Sequence, residues 1–103
     1  MRAVRVSETA RLGLHRLIEQ GRHKFGDRIV EEKALLVDAT LHGALRRNPR
    51  NGFYDAGKNF YAYAVSDTPF TIVYRFDDIE LRVLFIVHQS ADRTRLDPAK
   101  VRW

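Results

Sequence analysis

The stretch Pro69–His88, PFTIVYRFDDIELRVLFIVH, decides the fold. In its first half Phe70, Ile72, Tyr74 and Phe76 alternate with Thr71, Val73 and Arg75, the period of two expected of a pleated strand. In its second half Leu81, Val83, Phe85 and Val87 are expected on one face, with Arg82, Leu84, Ile86 and His88 on the other. β-branched and aromatic residues crowd both runs, as a half-buried pleated surface favours. Asp77-Asp78 fits a tight turn between them, because an Asp side chain hydrogen-bonds the backbone just ahead of it. The second run is apolar on both faces up to His88, so it reads as a central strand whose cover must come from helices in the first half of the chain.

Moving towards the N-terminus, Phe60–Val65 (FYAYAV) reads as a further strand, joined to Phe70 by the turn Ser66-Asp67-Thr68-Pro69. Alternation sets Tyr61 and Tyr63 opposite Phe60, Ala62 and Ala64. The polar, glycine-containing run Arg50–Asn59 reads as a loop. Before it, Val30, Ala34, Val37, Leu41 and Leu45, widened by Ile29, Leu36 and Ala44, form the stripe of an amphipathic helix. Asn48-Pro49 ends it, since proline disfavours helical geometry in the residue before it. An earlier helix carries Ala10, Leu14, Leu17 and Ile18 on one face. Ser7 is its expected N-cap, Glu8 suits the positive end of its dipole, and Gly21 is its expected stop. The two helices, joined by GRHKFGD, form a hairpin.

Ala3–Val6 is expected to join the sheet at an edge, and the last fifteen residues, QSADRTRLDPAKVRW, show no clear period. The expected architecture is one α+β domain over residues 1–103. It has two layers: an N-terminal strand and helical hairpin packed on an antiparallel sheet with a three-strand C-terminal meander.

Composition narrows the function classes. Hydrophobic residues make up 45% and charged residues 30% of 103, ordinary for a folded globular chain and against disorder. No run approaches the roughly 20 apolar residues of a membrane helix, and the opening MRAVRVSETA lacks the apolar block of a signal peptide. The absence of cysteine excludes disulfides and thiolate metal sites. A cytoplasmic protein with no membrane partner is expected. The net charge of +5 favours an acidic partner, either nucleic acid or protein. Arg46, Arg47, Arg50 and Lys58 form one basic cluster; Arg93, Arg95, Lys100 and Arg102 form another. Either cluster is equally readable as solvated surface.

No P-loop, H-E-x-x-H, G-x-S-x-G or dinucleotide fingerprint is present. His15, His23, His42 and His88 lack metal-ligand spacing, so neither a metal nor another cofactor is expected. His88 stands apart because it closes the central strand just before a polar turn. It suits an acid or base near neutral pH, or, more plainly, a capping hydrogen bond. Tyr61, Tyr63 and Tyr74 are candidates to stack on bases, or core tyrosines with satisfied hydroxyls.

Taken in order, several strings resemble the RelE/ParE superfamily of bacterial toxins from type II toxin–antitoxin pairs. They are the opening strand with Ser7-Glu8-Thr9-Ala10, the helical hairpin, Phe70-Thr71-Ile72-Val73-Tyr74, and Val83-Leu84-Phe85-Ile86-Val87-His88 followed by a polar turn with Arg93. The resemblance spans nearly the whole chain. It implies either of two activities on one fold. RelE-like members are ribosome-dependent mRNA endonucleases with basic residues on the sheet face; ParE-like members bind and poison DNA gyrase.

Carried over position by position, the nuclease pattern fits poorly. Its middle-strand arginine falls on Thr71, its lysines fall within Phe60-Tyr61-Ala62-Tyr63, and only Arg93 remains after the last strand. His88 followed by Asp92-Arg93 resembles the ParE branch instead. That branch implies a plasmid-stabilisation type of toxin that inhibits gyrase without catalysis and is neutralised by a cognate antitoxin. Arg93, Arg95, Lys100, Arg102 and Trp103 are then the expected target-facing residues, since Arg and Trp so often dominate interfaces. Deleting Leu96–Trp103 should therefore abolish toxicity alone. Ala10, Leu14, Leu17 and Ile18 are the expected antitoxin anchors. The alternative is a RelE-like mRNA interferase acting on ribosome-bound mRNA, with Arg75, His88 and Arg93 as its catalytic groups.

Overall fold

The computed structural model describes residues 2–103. Strand β1 (Ala3–Val6) leads into helix α1 (Glu8–Phe25) and helix α2 (Asp27–Thr40), which continues through a π turn at Leu41–Leu45. Four strands follow: β2 (Phe53–Asp55), β3 (Phe60–Ala64), β4 (Phe70–Phe76) and β5 (Glu80–His88). They form one five-stranded sheet in the order β1-β5-β4-β3-β2, with β1 parallel to β5 and all other pairs antiparallel. The α+β expectation holds, with β1 at an edge and β5 an interior strand between β1 and β4; the parallel β1–β5 pair makes the sheet mixed rather than antiparallel as expected.

Four further details differ from the sequence reading. The first is β2, inside the expected loop: Phe53, Tyr54 and Asp55 pair with Ala62, Tyr61 and Phe60, making the meander four strands long. Three residues are too few for a period-two signal.

The second is the stop of α1, which lies at Gly26 rather than Gly21. Gly26 has φ 84° and donates its amide to Arg22 O, a backbone conformation that glycine adopts without steric cost. Gly21 lies inside the helix, where an added Cβ would sit 2.9 Å from Val30 Cγ2. It lets α1 and α2 approach each other.

The third is a β-bulge in β5. Val73 pairs with Phe85 and Tyr74 with Val83, which leaves Leu84 as the extra residue. A bulge shifts the facing of everything beyond it. Leu81, Val83 and Ile86 therefore share the helix-side core with Ala10, Val37, Leu41, Leu45, Ile72 and Tyr74. Leu84, Phe85 and Val87 lie with Phe60, Ala62 and Val73 on the other side. The expected strict alternation along β5 is thus correct as far as Leu84 and reversed from Phe85 on.

The fourth is the cover of that second face. The helices do not reach it; Leu96 and Val101 of the C-terminal segment pack on it instead. The segment is held by 3-10 turns at Arg93–Arg95 and Pro98–Lys100, each opened by an aspartate, Asp92 and Asp97, that accepts an amide hydrogen bond.

Ser7 ties these features together. It is fully buried, accepts from Ala10 N as the N-cap of α1, and donates to Leu84 O at the bulge. At Gly13 an added Cβ would lie 2.7 Å from Ile86 O, so α1 rests directly on the β5 backbone just beyond the bulge.

Candidate functional site

Two surfaces bear chemistry, and they lie on different parts of the fold. One is an open groove of about 490 Å³ between the helical hairpin, the β3–β4 turn and the end of β5. Leu17, Phe25, Ile29 and Phe70 supply apolar wall. Lys24, Lys33 and His88 are the charged or titratable groups lining it, with no carboxylate among them. Phe25 is 62% and Ile29 46% exposed, far more than residues of a closed core. Lys33 Nζ is anchored to Asp67 O across the groove mouth. Asp67 itself takes φ 62°, the left-handed turn conformation that Asp tolerates.

Of the four expected antitoxin anchors, Leu17 lines this groove. Leu14 and Ile18 are half-buried on the same helix, and Leu14 packs on the core. Ala10 is fully buried and offers a partner nothing to touch. Phe25, Ile29 and Lys24, which were not among the expected anchors, extend the groove. The signal for them was apolar side chains flanking the Gly26 turn.

The second surface is the C-terminal segment. Arg93, Arg95, Lys100, Arg102 and Trp103 are all exposed. Arg95 makes a loose 3.9 Å ion pair with Asp92. Hydrogen bonds from Thr94 Oγ1 and Thr94 N hold the Asp92 carboxyl below the usual carboxylate range. The segment is fastened to the start of α1: Arg102 N donates to Thr9 Oγ1 at 2.9 Å, and Thr9 N donates to Arg102 O at 3.3 Å. Arg5 Cζ lies over the Trp103 ring, 4.8 Å from its centroid, a cation–π distance.

The three groups of the nuclease alternative do not converge. Arg75 sits opposite Arg82 near the β4–β5 hairpin, and its guanidinium is committed to Asn59 O and Lys58 O. His88 sits opposite Phe70 at the other end of the sheet. Five residues of strand separate the two levels, roughly 17 Å at about 3.3 Å per residue. An in-line phosphoryl transfer needs base, acid and cation around one phosphate. His88 Nδ1 accepts from Ser90 N at 3.1 Å, with Ser90 Oγ at 2.7 Å. It therefore caps the turn after β5.

Nor is there a base-stacking platform of Tyr61, Tyr63 and Tyr74. Tyr61 and Tyr63 are half-buried against the helix-side core, while Tyr74 is fully buried within it. The Tyr74 hydroxyl donates to Pro49 O at 2.6 Å and accepts from Gly52 N at 3.1 Å. Burial pushes its phenol up to about 12. Gly52 is required there, because an added Cβ would collide with that hydroxyl. Among the described residues no three His, Asp or Glu side chains gather in a metal-ligating group. Among the described residues no helix is long and apolar enough to cross a membrane.

No protein-family model matches the sequence, and no curated protein does. The backbone does find a counterpart among solved structures. A chain described as belonging to the chromosomal ParDE toxin–antitoxin system from P. aeruginosa superposes with a TM-score of 0.72 at 13% identity. The match covers 85% of this chain and 96% of that one. At that identity the likeness is one of architecture: this chain shares the fold of that ParDE-system chain.

Proposed function

We propose that this protein is the toxin of a type II toxin–antitoxin pair, acting by binding DNA gyrase and silenced by a cognate antitoxin. The ParE-like fold supports the toxin reading. The observation favouring a binder over a nuclease is the separation of Arg75 from His88, together with the commitment of the Arg75 guanidinium to backbone carbonyls. In this reading the exposed C-terminal cations Arg93, Arg95, Lys100 and Arg102, with Trp103, meet the target. The antitoxin fills the groove lined by Leu17, Phe25 and Ile29 with an amphipathic segment whose carboxylates face Lys24 and Lys33. Leu14 and Ile18 lie alongside.

Controlled expression in a bacterial host tests the pair of claims. Growth arrest accompanied by a DNA-break response, with translation continuing, is the expected phenotype. Early collapse of protein synthesis with fragmented transcripts would instead point to mRNA cleavage on the ribosome.

A further inference from the structure

The Arg5–Trp103 pair bears on recognition. A guanidinium this close to an indole is attracted to the ring as a cation, while its planar fork of N–H donors suits a carboxylate. Arg5 projects from β1 on the side opposite Val4 and Val6, which pack into the helix-side core. None of the ion pairs among the described residues involves Arg5, Lys100 or Arg102. Trp103 is 46% exposed even with Arg5 upon it.

The pair is also held in place from behind. The two hydrogen bonds between Thr9 and Arg102 fix the backbone immediately before Trp103. Leu96 and Val101 anchor the segment to the sheet. A pre-positioned planar cation beside an aromatic ring, with further unpaired cations on the neighbouring backbone, matches a carboxylate and the apolar stem that carries it.

We propose that Arg5 and Trp103 form a carboxylate-binding plate, and that its occupant is an acidic side chain on the surface of a protein partner. The proposal rests on the toxin reading for the identity of that partner and adds Arg5, a β1 residue, to the target surface. A protein is favoured over nucleic acid because the patch is small. Along the C-terminal segment Asp92, paired with Arg95, and Asp97 interrupt the cations, whereas a phosphate backbone calls for an uninterrupted basic track.

Trp103 is the single tryptophan, so its emission reports directly on the plate. A short poly-glutamate peptide titrated into the full-length protein at low salt should change that emission saturably. Arg5→Ala should weaken binding about tenfold, the loss of one charge-assisted pair. Arg5→Lys, which keeps the charge and loses the planar face, should fall between. Unchanged peptide affinity in Arg5→Ala, no saturable response in the wild type, or tighter binding of a short DNA duplex than of the peptide would each overturn the proposal.

A parallel gyrase assay separates the two readings. Peptide binding that depends on Arg5, without gyrase inhibition by the wild type, would keep the plate and remove gyrase as its partner. Gyrase inhibition unaltered by Arg5→Ala would remove the plate from the target surface and keep gyrase as the target.

Discussion

Ser7 and Leu84, 77 positions apart, are joined by a 2.9 Å hydrogen bond from the Ser7 hydroxyl to the Leu84 carbonyl. The same oxygen accepts from Ala10 N. One buried hydroxyl thus starts α1 and satisfies the carbonyl that the β5 bulge turns out of register. Ser7→Ala would strand both partners in the core, and a destabilisation of about 1–3 kcal/mol is expected. Urea unfolding monitored by far-UV circular dichroism would measure it; a loss under a few tenths would show that the contact does little.

Gly13→Ala should destabilise as well, against helix propensity. Alanine is normally better than glycine within a helix by about 1 kcal/mol, but here its methyl would meet Ile86 O at 2.7 Å. Moving α1 off β5 is expected to cost about 1–3 kcal/mol, the range for overpacking. Gly43→Ala is the control. Its nearest neighbour is the flexible end of Arg47 at 4.0 Å, so it should be neutral or mildly stabilising. Equal behaviour of the two variants would refute the packing argument.

Much of this architecture is legible in the sequence where side-chain periodicity is long. The β3, β4 and β5 runs, the Ser7 cap and the stripe Val30–Val37–Leu41–Leu45 all emerge from spacing alone. The bulge at Leu84 does not, because an apolar residue suits either face of a covered strand. Gly21 and Gly26 look alike on paper; only the approach of Val30 distinguishes the packing glycine from the turn glycine. The C-terminal segment lacks a period because just two of its apolar residues, Leu96 and Val101, touch the sheet. Nothing local marks Arg5 either, because its partner, Trp103, lies at the far end of the sequence.

Two groups set opposite pH limits. Hydrogen bonds from Glu80 N, the Arg82 guanidinium and Ile79 N lower the Asp77 carboxyl to about 2. A carboxyl depressed in the fold stabilises above its unfolded value near 4, and that contribution fades as pH falls from about 4 to about 2. Asp77→Asn should flatten this acid limb. The Tyr74 phenol, raised by burial to about 12, favours the neutral form in the fold. Its contribution is complete below about 10 and is lost as pH rises from about 10 to about 12. Spectrophotometric titration should find one of the four tyrosines ionising last. Early ionisation of every tyrosine would contradict the buried position.

Truncation of Leu96–Trp103 is a poor probe of the target surface, since it uncovers Phe60, Ala62, Val73 and Leu84. It is expected to lower stability and both binding functions together. Charge substitutions answer the question more cleanly. Arg93→Ala with Lys100→Ala should leave the unfolding midpoint within about 0.5 kcal/mol, as exposed sites do, and should weaken target inhibition at least tenfold. Antitoxin affinity should be unchanged. If inhibition survives both substitutions, the target surface lies elsewhere.

The groove makes a complementary prediction. Ile29→Glu places a carboxylate beside Phe25 on a half-exposed wall, with little cost to folding. It should reduce antitoxin affinity by at least tenfold while leaving target inhibition intact, so that the variant escapes neutralisation. Calorimetric titration with the antitoxin would measure the loss, and undiminished affinity would exclude the groove as its seat.

The central claim, a toxin that binds rather than cuts, is tested most directly with purified protein freed of antitoxin. Gyrase supercoiling of plasmid DNA and the integrity of mRNA on programmed ribosomes would be followed side by side. Loss of supercoiling or trapped double-strand breaks, with intact mRNA and relief on adding antitoxin, is the predicted result. Codon-phased mRNA cleavage with unimpaired gyrase would contradict it.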